Sequence, residues 1–162
     1  SQIPDYFFFK GADCWGWATW KRSWNIFEKN GKKLKNFINQ KNLKKEFNFN
    51  GSYNYYKMLV EQIKGKNDSW AIRWYASAFI KQMYTLYPKK TFVRNIGTDG
   101  SGTHGAGNRE VNKKSIVRKK YTEIKLENKK ISENLQAKKK VEEYFRKNSL
   151  SLFQKIIKRF IK

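Results

Sequence analysis

The spacing of apolar residues along the chain predicts more helix than strand. Between residues 19 and 87, apolar side chains recur every three or four positions, as expected for amphipathic helices. Residues 3–9 and 91–96 are instead short runs rich in aromatic or β-branched side chains, which favour strands. The predicted fold class is therefore helix-rich α/β.

Capping and turn residues divide the helical region into four segments. The predicted helices cover residues 19–30, 33–47, 54–65 and 70–87. The predicted N-terminal caps are Thr19, Ser52, and either Asp68 or Ser69. The predicted stop residues are Gly31, Gly65 and Pro88. The last helix carries apolar residues around most of its circumference, which indicates burial on most sides.

The composition changes after residue 107. Residues 108–162 contain no Trp and many Lys, with helical patterns over 129–148 and 150–162. We therefore divide the chain into a domain at residues 1–107 and a basic helical extension at residues 108–162 that stands apart from the aromatic core. The last helix has one apolar and one basic face, which fits contact with an anionic membrane. Docking on the domain or on a partner subunit fits the same pattern.

Length and composition indicate one folded domain. The chain has 162 residues, of which 39% are hydrophobic and 17% aromatic. Its net charge of +23 points to nucleic acid, an anionic membrane or a phosphate-bearing ligand, although AT-rich codons would also enrich Lys. The single cysteine, Cys14, excludes an internal disulfide and suits a reducing, cytosolic setting. Without a basic segment before the aromatic run we expect no signal peptide in these residues, and the start at Ser1 predicts a truncated or processed chain.

Asp68 is the candidate catalytic residue. It lies in the string NDSWAIRW, residues 67–74, at the predicted start of a helix and beside Trp70 and Arg73. A carboxylate at a helix N-terminus in an aromatic pocket suits a general base that deprotonates a hydroxyl group. An ordinary helix cap is the alternative interpretation.

Two further blocks are candidate walls of the same site. Trp15 and Trp17 flank Gly16 in a predicted loop, and their rings could stack on sugars or on bases of single-stranded nucleic acid. At Trp20, Trp24 and Trp74 we expect instead that the rings pack in the core. The loop at residues 97–105 could bend around a phosphate through Gly100, Ser101, Gly102 and Thr103, and His104 could bind a metal or a diphosphate.

Three motifs in this order resemble one protein family. CWGWATWKRSW, DSWAIRWYAS and YPKKTFVRNIGTDGSGTH, within residues 4–105, are similar to the C-terminal half of bacterial family-2-type sugar transferases with a GT-A fold. A more distant similarity is to eukaryotic N-acetylglucosaminyltransferases, which carry a Gly-Trp segment, an acidic-Trp helix start and a late Gly-His loop.

The resemblance implies inverting transfer of a sugar from a nucleotide-sugar to a hydroxyl group of a glycan or lipid-linked acceptor. It assigns Asp68 as the base and Gly16-Trp17 to the acceptor side. His104 would lie near the donor diphosphate and its Mn or Mg ion. It also implies polysaccharide biosynthesis in the cytoplasm or at the inner face of the membrane. The family's nucleotide-binding half, which holds most of the metal site in an Asp-x-Asp motif, is missing from these residues, so we expect them to be inactive alone.

The alternative is a non-enzymatic basic module that binds nucleic acid or an anionic membrane. The charge and the stacking aromatics favour it. However, the aromatic blocks and the most basic stretch occupy different parts of the chain, whereas a nucleic-acid groove interleaves them. We therefore expect no specific binding of nucleic acid.

Overall fold

Helices dominate the part of the chain that the computed structural model describes, which comprises residues 3–93, 126 and 130–148. In chain order the elements are β1 (Tyr6–Phe9), α1 (Lys21–Trp24), α2 (Gly31–Gln40), α3 (Lys44–Phe47), α4 (Tyr55–Ile63), α5 (Trp70–Ile80), β2 (Thr85–Pro88) and α6 (Leu135–Asn148). This helix-rich, mixed α/β architecture confirms the coarse fold class.

The two strands form an antiparallel ribbon. Tyr6 pairs with Pro88 and Phe9 pairs with Thr85, so the strand predicted over residues 3–9 is confirmed in its second half. The helix predicted over residues 70–87 is wrong at its end, because α5 stops at Ile80 and Gln82 turns the chain with φ of 55°. Residues 85–88 then extend along β1, where the Tyr87 ring stacks on Phe9 at 4.3 Å between centroids. Pro88 therefore ends a strand and not a helix.

An aromatic core lies between the helices and the ribbon. Among the described residues, the largest completely buried side chains are Phe47, Phe79, Ile38 and Leu59, contributed by α2 to α5. The Phe47 ring stacks on Tyr75 at 4.7 Å and meets the Phe79 ring edge-on at 5.2 Å. The Tyr75 hydroxyl donates a hydrogen bond of 2.9 Å to the Phe47 carbonyl, so its buried polar group is satisfied. This stack joins α3 to α5, the helix that carries part of the candidate site.

Two predicted helix boundaries on the N-terminal side are wrong. α1 is a single turn whose N-cap is Trp20 and not Thr19, and no side chain caps it. Gly31 begins α2 instead of stopping a helix, because the Asn30 side chain accepts hydrogen bonds from the N–H groups of Lys32 and Lys33. A side chain at residue 31 would lie 2.8 Å from Ile63, so close packing against α4 explains the glycine.

The next helix boundaries are decided by local turns. The helix predicted over residues 33–47 is two helices, α2 and α3, because Asn42 has φ of 52° and interrupts it. Asn54 and not Ser52 caps α4, accepting from the Lys57 N–H at 3.1 Å. Gly65, with φ of 70°, follows α4 as predicted.

Residues 91–93 are irregular and not the start of a strand. The Thr91 hydroxyl bonds both the carbonyl and the N–H of Val93, at 2.9 and 3.1 Å, and so folds the chain back on itself. Residues 94–96 of the predicted strand lie outside the described residues.

The helix predicted over residues 129–148 is confirmed as α6 over Leu135–Asn148, whereas residues 130–134 are not helical. This helix belongs to the core. Ala137 is buried, and the Phe145 ring contacts the Phe49 ring at 5.8 Å. Glu142 accepts a hydrogen bond of 2.7 Å from the Asn50 amide, and the Asn134 N–H bonds the Phe8 carbonyl at 2.7 Å. The expectation that the extension stands apart from the aromatic core is therefore wrong for this helix. The boundary at residues 107 and 108 and the helix predicted over 150–162 lie outside the described residues.

Candidate functional site

Four tryptophans join the loop before α1 to helix α5. The Trp17 ring lies 5.8 Å from Trp70 and 5.7 Å from Trp74, measured between centroids, and 6.1 Å from Trp24. We call Trp17, Trp24, Trp70 and Trp74 the tryptophan cluster. It brings together two of the three blocks that were predicted to form one site. Gly100, Ser101, Gly102, Thr103 and His104 of the third block lie outside the described residues.

The tryptophans differ widely in solvent exposure. Trp74 is 5% exposed and anchors the cluster in the core, whereas Trp24 and Trp70 are 39% and 40% exposed. Trp15 and Trp20 are 67% and 65% exposed. Core packing is therefore right for Trp74 and wrong for Trp20 and Trp24. Their spacing of four residues looked like one face of a long helix, but α1 has four residues and leaves both rings at the surface.

Gly16 is required by its backbone and by its neighbour. Its φ of 57° lies in the left-handed region, and a Cβ atom there would meet Val93 Cγ2 at 2.2 Å. Val93 therefore packs directly on the loop between Trp15 and Trp17. Val93, which lies shortly before the glycine-rich block in the sequence, therefore lies next to the loop that carries Trp17 of the tryptophan cluster.

Replacing Gly16 with Ala is expected to lower the free energy of unfolding more than replacing Gly51 with Ala. Gly51 has φ of 79° but no atom within 4 Å of its virtual Cβ, so that variant measures the cost of the backbone conformation alone. That cost is about 1 kcal/mol or slightly more, and the Val93 contact adds to it at residue 16. Urea denaturation of both variants tests this, and equal losses would contradict the close packing.

Ser69, and not Asp68, is the N-cap of α5. Its hydroxyl oxygen accepts a hydrogen bond of 3.3 Å from the Ile72 N–H. Asn67 accepts from the Ser69 N–H at 3.1 Å and donates to the Met58 carbonyl at 3.1 Å, so both neighbours of Asp68 hold the local backbone. The exposed Asp68 side chain is not needed for this cap and lies two residues before Trp70.

Arg73 holds the chain before α2 against α5. Its Nη1 atom donates a hydrogen bond of 3.0 Å to the Lys29 carbonyl, and its guanidinium carbon lies 5.9 Å from the Phe27 ring centroid. Its Nε atom is buried without a hydrogen-bond partner among the described residues. Arg73 thus has a structural contact next to the tryptophan cluster. Its Nε–H group is a donor that this contact does not use.

Asp13 is a carboxylate that sequence reasoning did not select. It lies in the loop between β1 and the tryptophans, where its backbone N–H bonds the Tyr87 hydroxyl oxygen at 3.3 Å. Although Asp13 is an exposed residue, nearby protein atoms partly desolvate its carboxyl group and raise its pKa, and a hydrogen bond with Tyr87 opposes this in part. The only signal in the sequence was an acidic residue within an aromatic block.

Asp13→Asn is expected to gain stability relative to the unchanged protein as pH rises. The raised pKa means that the folded state binds the Asp13 proton more tightly than the unfolded state. The contribution of Asp13 to the free energy of unfolding is fully present below its usual pKa of 3.8. It is lost as pH rises through the pKa that the group has in the folded state. Because Asn does not titrate, the free energy of unfolding of Asp13→Asn minus that of the unchanged protein should increase as pH rises through this range.

Glu28→Gln is the matched comparison for this pH effect. The Asn30 N–H donates to the Glu28 carboxylate at 2.8 Å and lowers its pKa from 4.5. Glu28 therefore contributes stability above pH 4.5 that is lost as pH falls through its folded pKa. Urea titrations at a series of pH values should show opposite trends for the two variants. Parallel trends would contradict the desolvation of Asp13.

Cys14 is not positioned as a nucleophile. Burial, with a smaller contribution from the Asp13 charge, raises the pKa of its thiol to about 11. The thiol is therefore protonated at neutral pH, whereas covalent catalysis by cysteine uses the thiolate. A carboxylate-based reaction fits this loop better than a thiol-based one.

The described residues do not by themselves supply a metal centre or a membrane span. No group of three His, Cys, Asp or Glu side chains among them is arranged to hold a metal ion. His104, the predicted ligand, lies outside this part of the chain. Among the described helices, none combines the length and apolar composition that crossing a membrane requires.

An open groove of about 180 Å³ lies along α2 and the C-terminal part of α5. Its lining includes Glu28, Lys33 and Ser77, and the first two form an ion pair of 3.6 Å. The Ser77 hydroxyl oxygen accepts from the Glu28 N–H at 3.0 Å. These polar groups bond one another, and the groove includes no residue that the sequence selected for the site.

No family model, curated protein or solved structure matches this chain.

Proposed function

We propose that this chain forms the acceptor side of an inverting glycosyltransferase with a GT-A-like fold. The observation that carries the proposal is the contact between Trp17 and Trp70, at 5.8 Å between ring centroids. It joins the Gly16-Trp17 loop to the start of α5, where Asp68 has an exposed carboxylate. Aromatic rings bind the apolar faces of sugars, and a nearby carboxylate can activate a sugar hydroxyl.

In the proposed reaction Asp68 is the general base. Its carboxylate accepts the proton of the acceptor hydroxyl while that oxygen forms a bond to the anomeric carbon of the donor sugar. The bond between this carbon and the diphosphate oxygen breaks, and the nucleotide diphosphate leaves with the bonding electrons. Attack from the face opposite the leaving group inverts the anomeric configuration. Trp17 and Trp70 orient the acceptor ring in this scheme.

The donor side of the reaction requires residues beyond those described. No Asp-x-Asp sequence occurs in the 162 residues, so a nucleotide-binding half elsewhere would hold most of the diphosphate and its Mn or Mg ion. The metal would neutralise charge on the leaving diphosphate. His104 at the glycine-rich loop is the candidate contact from this chain. We propose that the enzyme acts in the cytoplasm, at the inner face of the membrane when its acceptor is lipid-linked.

The test is a transfer assay with two proteins. One is residues 1–162, and the other is a longer chain in which a nucleotide-binding half precedes them. We expect sugar transfer or nucleotide-sugar hydrolysis from the longer chain only. Robust turnover by residues 1–162 would contradict the division of the site between two halves. Failure of the longer chain with a broad panel of nucleotide-sugars and acceptors would count against glycosyl transfer.

A further inference from the structure

Arg22 lies over an exposed tryptophan at the edge of the candidate acceptor site. Its guanidinium carbon is 4.9 Å from the centroid of the Trp20 ring, which is 65% exposed. Trp20 is linked to the tryptophan cluster, since the Trp24 N–H bonds the Trp20 carbonyl at 2.9 Å and the Trp24 ring contacts Trp17. A cation is therefore held over an exposed aromatic ring one helical turn from Trp24, a member of the tryptophan cluster that would bind the acceptor.

This cation has no anionic partner within the described structure. None of the ion pairs between described residues involves Arg22 or its neighbour Lys21, and both side chains are exposed. The segment from Cys14 to Phe27 contains no Asp or Glu, and these two residues are its only cations. Stacking on Trp20 restricts the guanidinium while leaving its N–H groups available for an oxyanion.

We propose that the acceptor is an anionic carbohydrate of more than one sugar unit: the unit that bears a carboxylate or phosphate group lies on Trp20 and Trp24 with this group bound to Arg22, while the reacting unit lies on Trp17 and Trp70. This inference rests on the proposed glycosyltransferase function and specifies its substrate class. A guanidinium fork matches both carboxylate and phosphate oxygens, so a sugar acid and a phosphorylated glycan share the recognised chemistry. A nucleic acid or a bilayer surface presents many charges and favours a broad field of cations. The segment from Cys14 to Phe27 offers two, and the rest of the net charge of +23 lies outside it.

The experiment is a titration of the 162-residue chain followed through its tryptophan indole N–H signals by NMR. The probes are galactotriose, trigalacturonate and a galactotriose phosphate monoester. We expect both anionic probes to bind more tightly than galactotriose and to shift the signals of Trp20 and Trp24. The stronger of the two anionic probes identifies carboxylate or phosphate as the source of the charge.

Three variants connect this binding to Arg22. Arg22→Gln should weaken the anionic probes about two- to fivefold, as expected for an exposed charge pair, and leave galactotriose unchanged. Arg22→Lys should restore part of the loss, because it keeps the charge without the planar fork. Lys41→Gln, an exposed cation that follows α2, is the control and should bind all three probes normally.

The outcomes separate this inference from the proposed function. Equal affinity for neutral and anionic probes, with shifts at Trp17 and Trp70, would overturn the anionic acceptor and still support a sugar site. Equal losses in Arg22→Gln and Lys41→Gln would show a general charge effect and overturn it as well. No shift with any sugar would count against both. A stronger response of the same signals to single-stranded DNA or to phosphatidylglycerol vesicles would replace the carbohydrate with a macromolecular polyanion.

Discussion

Replacing Asp68 with Asn, in a chain that also carries the nucleotide-binding half, is expected to lower kcat for sugar transfer by about 10²–10⁴-fold. The acceptor KM should change little, because the amide keeps the shape of the side chain and the tryptophan cluster is untouched. The fold should also be preserved, since Ser69 and not Asp68 caps α5. Steady-state transfer kinetics and thermal unfolding of the same preparation measure both quantities.

Ser69→Ala is the matched control at the neighbouring residue. It removes the hydroxyl that accepts from the Ile72 N–H and should cost about 1 kcal/mol of stability. Its turnover per folded molecule should stay close to that of the unchanged enzyme, because it leaves the Asp68 carboxylate in place. Near-normal turnover of Asp68→Asn would instead make Asp68 an ordinary surface residue. The general base would then have to be sought elsewhere, beginning with Asp13.

Replacing Phe47 with Ala is expected to destabilise the domain by about 3–5 kcal/mol, which is a large share of the stability of a typical small domain. Phe47 is completely buried, and its ring contacts Tyr75 and Phe79 on α5. The variant would leave a cavity below the helix that carries Trp70 and Trp74. Urea denaturation followed by near-UV circular dichroism would measure the loss and would report on the packing of the tryptophans.

Phe37→Ala removes the same number of atoms from α2 but at a ring that is partly exposed. We expect a much smaller loss, because a surface ring has less transfer free energy to lose and leaves no closed cavity. Similar losses in the two variants would show that the Phe47 ring is not the centre of the core.

Some signals that depend on neighbouring residues were read correctly from the sequence, although the predicted caps Thr19 and Ser52 and the predicted stop at Gly31 were wrong. The strand β1 and the helices α4 and α6 were predicted, as was the end of α4 at Gly65, where the φ of 70° suits glycine. The grouping of tryptophans in two blocks was equally visible. These features rest on periodicity and capping, which a short stretch of chain contains in full.

The end of α5 shows why other features could not be read in this way. Residues 81–87 could continue a helix by composition, but the Phe9 ring and the β1 backbone provide partners for an extended chain. Those partners are more than seventy positions away in the sequence. The inclusion of α6 in the core has the same origin, since Phe145 meets Phe49 across the fold.

In the string NDSWAIRW, the start of a capped helix and the position of Asp68 two residues before a tryptophan are visible without the structure. The structure identifies Ser69 as the residue that makes this cap. The contact between Trp70 and Trp17, the exposure of Trp20 and Trp24 and the burial of Trp74 could not be predicted from the string, because they depend on distant parts of the chain. A helix cap is a hydrogen bond between residues three apart, so a short stretch of sequence contains both partners. Solvent exposure and desolvation are instead set by every chain segment that packs around a side chain.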